Sequence, residues 1–600
     1  MTQDQRIQQG WDVFRGQPLV DAPVEPPYFE GRPRYSREFS RRIASFVIRV
    51  FHNKEQEFYA DANDALIRNA QFYIDNPDVR DDRDSFYWNI GEQCRAMLRY
   101  DRYGCDEPGL ISPEAEAKFL ELSLGYCQTM SLLTNADATP AKTWEIYESE
   151  NHHVQKNSAL WQLLLILIRH GYGDVILSDG ADINTHFQAW TDFFVTWMKE
   201  RAGHSMFIEV QSKVYAVHTM KNIYPLYDFA PTPEIKELTG NFITLFWALW
   251  TQEQINGVQG GGQSRVYPSY SIFSSSPNLY WAWYYTGIGE FHAPEDMEYI
   301  LLDCSYRLPQ IVIDLAYGHT KRGTYTIESR PFGKSAPDDA FPYYRPVTDW
   351  GHIYRYTYCT PDYILGTLMC PQLTKDDWLL ISSQNRFQGV TFNQMDAMVL
   401  PIPEPEEVHN LRNPRPLVGF NSHWSQQSEG TLITQRCLDY GGSMRVFFSG
   451  AGDVRANVTE KDGWYFTYCG HAYVAVRICQ GSFTWEDDYY RPGQWMHCEE
   501  PATPVILETA TTSQYATLSD FQDAVCKLAP IWDGAIMKYH SLYGHDFVFV
   551  TDADSEKSTI DGEYYVKKPT FAYKSPFVNA AWGGSEACIT FDGEELVLKF

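Results

Sequence analysis

The chain is short of positive charge, carrying 49 lysines and arginines against 77 aspartates and glutamates for a formal net charge of −28. That balance opposes nonspecific attraction to nucleic acid and to anionic membrane surfaces, so neither is expected as a partner. It leaves open an anionic substrate, because only the local potential of a cleft decides that binding. No Cys-x-x-Cys pair occurs among the 12 scattered cysteines, which argues against a zinc knuckle or a thioredoxin-like motif. A mostly reduced chain is the plain expectation. Apolar runs such as Leu163 to Ile168 are far too short to span a bilayer. The polar stretch Met1 to Pro18 lacks the apolar segment of a secretory signal, so a cytoplasmic location is expected, or export if a signal has been removed. No short-period repeat, coiled-coil heptad or low-complexity tract is visible.

What is abundant is aromatic surface, with 18 Trp, 40 Tyr and 34 Phe. Such side chains stack on pyranose faces, and they also fill large cores. At 600 residues the chain exceeds what one core supports, so at least two domains are expected.

After a proline-rich stretch, Pro18 to Arg34, apolar residues recur at helical spacing. Helices are expected over Phe39–Phe51, Ala62–Ile74, Glu114–Leu133, Ser158–His170, Thr185–Lys199, Ser205–Leu226, Pro233–Asn256 and Ala293–Arg307. Antiparallel helix pairs bury so many amphipathic stripes most simply. The period changes near Tyr325, and strands are expected at Trp378–Ser383, Ser443–Ser449, Trp464–Cys469, Tyr473–Cys479, Val505–Glu508, Phe547–Thr551 and through Phe571–Phe600, with one helix at Leu518–Leu528. Pro401 to Pro416, with five prolines, reads as a long surface loop. The expected division is an irregular arm over 1–34, a helical catalytic domain over 35–325 and an antiparallel β-sandwich domain over 326–600.

Three polar knots interrupt the helical half. Glu150, Asn151, His152 and His153 stand just ahead of the apolar run Trp161–Ile168. Glu209, Ser212, Tyr215 and His218 form the second, with Ser212, Tyr215 and His218 at i, i+3 and i+6, close to one helix stripe. Gly260, Gly261 and Gly262 permit close backbone approach and unusual dihedrals, delivering Ser264, Arg265, Tyr267 and Tyr270. The glycines lack a following Gly-Lys-Ser or Gly-Lys-Thr, so a nucleotide-phosphate loop is a poor reading.

The chemistry of these groups points to a cleft. Asn151 is a neutral donor suited to a carboxylate on which charge develops, and His152 suits acid–base work near neutral pH. Arg265 suits bidentate carboxylate binding, with Tyr267, and then Tyr270, following it as phenols. Tyr215 and His218 offer a phenol and an imidazole. Glu150 and Glu209 are a carboxylate pair of the kind glycoside hydrolysis uses, although Glu150 at a helix start also fits the positive end of the helix dipole. Trp144 reads as a stacking platform or as packing, and Arg322 and Tyr325 as polar-aromatic groups at the domain join. No His, Cys, Asp or Glu cluster has convincing metal spacing, so no metal or other cofactor is assigned.

Together, Glu150–Asn151–His152, the Glu209–Tyr215 segment, Gly261–Gly262–Ser264–Arg265–Tyr267 and, in the β half, Tyr358–Thr360–Pro361–Asp362–Tyr363–Leu365–Gly366 and Trp464–Arg477 carry a resemblance. The chain resembles the polysaccharide lyase superfamily that includes heparinase II/III-like, alginate and chondroitin lyases. That resemblance implies a multidomain α+β fold, an incomplete (α/α) toroid followed by an antiparallel β-supersandwich. It implies elimination at a uronic acid of a glycan: an amide or imidazole neutralises the carboxylate, a Tyr or His takes the C5 proton, and a Tyr protonates the departing oxygen. The catalytic set expected is Asn151, His152, Tyr215 and Tyr267, with Glu150 and Glu209 as the alternative pair of a hydrolase. Arg265, Trp144, His218, Tyr270, Arg322 and Tyr325 are expected to bind substrate. A noncatalytic glycan-binding protein is a third reading, and a homodimer is possible.

Overall fold

The computed structural model describes residues 1–20, 22, 36–81, 86–88, 90–147, 149–266, 276–294, 299–331, 335–337, 343–346, 352–371, 386–404, 406–407, 419–420, 423–438, 442–533, 535–551 and 557–600. Its N-terminal half is an incomplete (α/α) toroid and its C-terminal half stacked antiparallel sheets.

The chain opens with a helix, α1 (Gln3–Gly16), where an irregular arm was expected. The Thr2 side chain accepts the Gln5 N–H, and the Gln5 side chain accepts the Thr2 N–H. This reciprocal box satisfies two donors that a helix start otherwise leaves bare. Arg6 then donates to the carbonyls of Tyr284 and Tyr285 at 3.0 and 2.6 Å, docking α1.

The main helices follow as α2 (Ser36–His52), α3 (Tyr59–Asp75), α4 (Ile90–Tyr100), α5 (Pro113–Met130), α6 (Glu150–Arg169), α7 (Ile183–Gly203) and α8 (Pro233–Thr251). Their starts are written in the sequence. Ser112, Asp182 and Thr232 each accept a first-turn N–H, and Pro113 and Pro233 sit where a missing N–H costs nothing. Packing runs α2 on α3, α3 on α5, α4 on α6, α6 on α7 and α7 on α8. The single helix expected over Ser205–Leu226 is broken. Ser205, Met206 and Gln211 take positive φ (73°, 64° and 46°), and only Tyr215–Met220 and Tyr224–Asp228 are helical. The helix expected over Ala293–Arg307 shrinks to Tyr299–Asp303 among the described residues. Pro277–Thr286, rich in Tyr and Trp, is a packing helix: Trp281, Tyr284 and Tyr285 are buried.

Strands take over at Tyr325. A twelve-stranded antiparallel sheet runs, edge to edge, through Phe483–Asp487, Gly493–Cys498, Arg445–Ser449, Met398–Pro401, Gly389–Phe392, Tyr363–Met369, Tyr354–Cys359, Tyr325–Ser329, Phe571–Lys574, Val578–Ala581, Glu586–Phe591 and Glu594–Lys599. A six-stranded sheet lies beside it, with His423–Ser428, Thr431–Arg436, Val505–Thr511, Ala472–Ile478, Trp464–Cys469 and Thr459–Lys461 in spatial order, and a five-stranded sheet spans Ile531–Tyr564.

Strand alternation explains the stacking, because successive side chains leave opposite faces. Leu432, Val505 and Leu507 join Leu365, Val399 and Val446 of the large sheet in one core. Their chain neighbours Ile433 and Ile506 join Met537, Phe547 and Phe549 of the small sheet in another. The middle sheet is therefore covered on both faces, and every residue of Val505–Thr511 is buried. The strand expected at Trp378–Ser383 lies outside the described residues, as does most of Pro401–Pro416. Ile327, Ile364, Ala572, Tyr573, Ile589 and Leu598 belong to the same core as the helices, so toroid and sheet share one interior.

A buried ion pair closes the join. The Glu253 carboxylate, just past α8, takes the Arg355 guanidinium and the Thr357 hydroxyl (2.7 Å), while Arg355 Nε donates to Gly262 O at 2.7 Å. Both charged groups are at most 3 % exposed. Removing one member strands the other in a dry environment, which costs about 3–5 kcal/mol. Glu253→Ala is expected to lower the urea midpoint by that equivalent; an unchanged midpoint would show that the join does not rest on this pair.

Candidate functional site

The site is assembled from α6, the irregular segment 205–214 and the glycine loop after α8. Glu150 is the first residue of α6 and is fully buried. Its Oε1 accepts from Arg201 Nε at 3.0 Å, and its Oε2 accepts the N–H groups of Ile208 and Glu209 at 2.7 and 3.3 Å. Arg201, also buried, donates to Thr143 O at 3.1 Å and lies 3.4 Å from the Trp144 ring centre. Both oxygens of Glu150 are thus committed to structure. Burial pushes its carboxyl up to about 7 despite Arg201, and pushes Arg201 down to about 10 despite Glu150.

The glycine loop meets the sheet backbone to backbone. A Cβ on Gly262 would stand 2.5 Å from the Thr367 carbonyl carbon, and one on Gly366 would stand 2.6 Å from Gly261 Cα. Gly261 has φ +84°, so the triplet is required by approach and by dihedral. Gln263 then pairs with Phe387 through two backbone bonds, and Ser264 N donates to Val210 O at 3.0 Å. This clamp delivers Arg265, itself at φ 53°.

Arg265 gathers the first two knots. Its Nη1 donates to Asn151 Oδ1 (3.3 Å) and to Glu209 Oε1, and its guanidinium stacks 3.6 Å from the Tyr215 ring centre. Ser149 Oγ also donates to Asn151 Oδ1, at 2.6 Å. Several buried polar atoms around this point meet no partner among the described residues: Asn151 Nδ2, Glu209 Oε2, Ser264 Oγ and both amide atoms of Gln155, one turn beyond Asn151 on α6. Native interiors leave few such groups, and each one asks for a ligand or a water. Nearby, His152 Nδ1 lies 3.2 Å from the Tyr87 hydroxyl, and the Trp88 ring lies edge-on to both His152 (4.7 Å) and His218 (6.1 Å). Tyr215 and His218 share the short helix Tyr215–Met220, with ring centres 6.1 Å apart.

Asn151, His152, Glu209, Tyr215, His218 and Arg265 therefore come together, with Glu150 directly behind them. Other expected residues stand elsewhere. Trp144 is 1 % exposed with Arg201 over its ring, so it packs the core rather than offering a stacking face. Arg322 donates to the carbonyls of Thr251, Gln252 and Gln254, and the Tyr325 hydroxyl donates to Gln252 O. Both side chains close the C-terminal end of α8, which corrects their expected contact with substrate. Tyr267 and Tyr270 lie outside the described residues. Sequence reasoning missed Arg201, Trp88 and Gln155. An arginine on the otherwise apolar stripe of Phe194, Trp197 and Met198 was the available signal for the first.

No group of His, Cys, Asp and Glu among the described residues could hold a metal ion, and no described helix is long and apolar enough to cross a membrane. No family model and no curated protein matches the chain. Among solved structures it is similar to the chondroitin AC lyase of Streptomyces coelicolor A3 in complex with chondroitin sulphate. That match has 10 % identity and a TM-score of 0.38, covering 91 % of this chain and 85 % of that one. A mutant of the same lyase matches with 9 % identity and a TM-score of 0.34, over 99 % of this chain and 88 % of that one. The fold assignment stands on the element order and strand pairing described above.

The Glu150 shift has a pH consequence. Its folded value, about 7, lies above the ordinary 4.5, so burial costs the charged carboxylate more than Arg201 and the backbone N–H groups return. The group's contribution to stability is fully present below the ordinary value and is lost as pH rises through about 7, a loss of about 3 kcal/mol. Glu150→Gln is expected to flatten this decline; urea midpoints of wild type and variant at about pH 5 and about pH 8 measure it, and parallel declines would rule it out.

Proposed function

We propose that the protein is a carbohydrate-active enzyme that cleaves a uronate-containing glycan by β-elimination, with Asn151, His152, Tyr215 and Arg265 as its working residues. The observation that carries this reading is the buried Asn151 amide nitrogen, which meets no acceptor among the described residues although its oxygen is doubly engaged. A donor fixed in this way suits a sugar carboxylate that gains charge as the C5 proton leaves, because it stabilises the enolate without reorganising. Glu209 balances Arg265, so the carboxylate meets a site that is polar and nearly neutral rather than strongly cationic.

Two groups serve the proton transfers. His152, its Nδ1 placed against the Tyr87 hydroxyl, is the base for C5 in this scheme. Tyr215 lies beneath the Arg265 guanidinium and is the acid of this scheme, giving its hydroxyl proton to the departing oxygen. Glu150 acts in this scheme as a positioning residue, holding Glu209 through its backbone.

Hydrolysis is the second reading, favoured by one observation: Glu209 Oε2 meets no partner among the described residues. Against it, the other carboxylate of the pair, Glu150, has no oxygen left for substrate or water.

The test is product mass and ultraviolet absorbance after incubation with a panel of uronate-containing oligosaccharides and polysaccharides. An unsaturated product is expected, with kcat/KM falling about 10²–10³-fold in Asn151→Ala. Saturated products carrying the mass of water would overturn elimination and place Glu209 first.

A further inference from the structure

Beyond His152, the outward stripe of α6 walls a cavity of about 470 Å³, within the range that holds small ligands. His152, His153, Lys156, Asn157 and Leu160 recur there at helical spacing, while the loop at 130–135 and the Lys142–Glu145 turn form the facing wall. His152 lines this cavity and Asn151, beside it at the start of α6, meets Arg265, so the cavity and the Arg265 cluster lie at adjacent residues of one helix.

We propose that this cavity seats an uncharged pyranose unit of the substrate, next to the uronate held by Asn151 and Arg265. The inference rests on the elimination reading and adds to it a requirement on the neighbouring sugar.

Charge on the wall carries the argument. Lys142 pairs with Glu145 at 2.9 Å, and Asp81 receives Arg80 through both oxygens at 2.7 and 3.0 Å. Two lysines thus face two carboxylates, and no arginine lines the cavity among the described residues. His153 adds no charge, since burial, with Arg201 and Lys156 nearby, pushes its imidazole down to about 3. A carboxylate or sulfate entering would lose its water without a cation cluster to replace it. Hydroxyls suit the amide and hydroxyl groups that remain, Asn157 within and Thr134 and Asn135 at the exposed lip, over the apolar floor of Met130, Leu132 and Leu160.

Calorimetry with Tyr215→Phe protein, which keeps Asn151 and Arg265, and two tetrasaccharides tests this, one alternating uronate with an uncharged pyranose and one all uronate. The alternating ligand is expected to bind about tenfold tighter or more, and adding Asn135→Lys at the exposed lip is expected to narrow that gap severalfold. Equal or tighter binding of the all-uronate ligand overturns the proposal, as does failure of both to bind. Wild-type turnover separates the two claims. Preferential binding without an unsaturated product sinks elimination and leaves the sugar seat standing, whereas elimination of both ligands at equal kcat/KM removes the seat and leaves elimination.

Discussion

The buried pair of Glu150 and Arg201 is the constraint on which the site depends. Arg201 comes from the end of α7, Glu150 from the start of α6, and the second oxygen of Glu150 takes the N–H groups of Ile208 and Glu209. Three chain segments meet at one carboxylate. An isolated charge in that position would be prohibitive, and even the pair regains little net free energy over an apolar substitute. What it supplies is registry, because ion pair and backbone bonds are all met in only one arrangement. That arrangement puts Asn151 and Glu209 on either side of Arg265.

The backbone around this pair is held away from its preferences. Ser205, Met206, Gln211 and Arg265 have positive φ without being glycine, each at a cost of order 1–2 kcal/mol. Such conformations persist only where surroundings over-determine them, and here they do. Met206 N donates to Arg201 O, Ser205 Oγ to Arg330 O, and the Arg265 loop is pinned to Phe387 and Val210. The helical period of 205–226 in the sequence is real, but two of the bonds that hold its broken form, Ser205 to Arg330 and Val210 to Ser264, come from residues far away in the chain.

Local signals explain which parts were legible. Helices with a capping residue and an apolar stripe, such as Pro113–Met130 and Pro233–Thr251, and strands that alternate, such as Trp464–Cys469, are dictated by neighbours in sequence. The Thr2–Gln5 capping box was equally local and simply passed unread beside the proline-rich stretch that follows. The polar knots at Glu150–His152 and Glu209–Tyr215 were visible because polar groups beside buried runs need a reason. Sequence could not say which of them turn to one another. Glu150 faces Arg201 instead of the cleft, Trp144 lies under a guanidinium, and Arg322 and Tyr325 cap a helix, all through contacts spanning some fifty to seventy residues.

The shared interior of toroid and large sheet bears on how the chain can be made. Phe571–Lys574 pairs with Tyr325–Ser329, Gly583 N donates to Gly203 O at the end of α7, and Ile589 and Leu598 fill the helical core. The helical half therefore lacks part of its own lining until the last strands have left the ribosome. During synthesis it must wait as an incomplete body with apolar surface exposed, a state that invites chaperones and aggregation alike. Toroid and sheets read as two domains along the sequence, yet strands Glu586–Phe591 and Glu594–Lys599 line an interior that belongs to both.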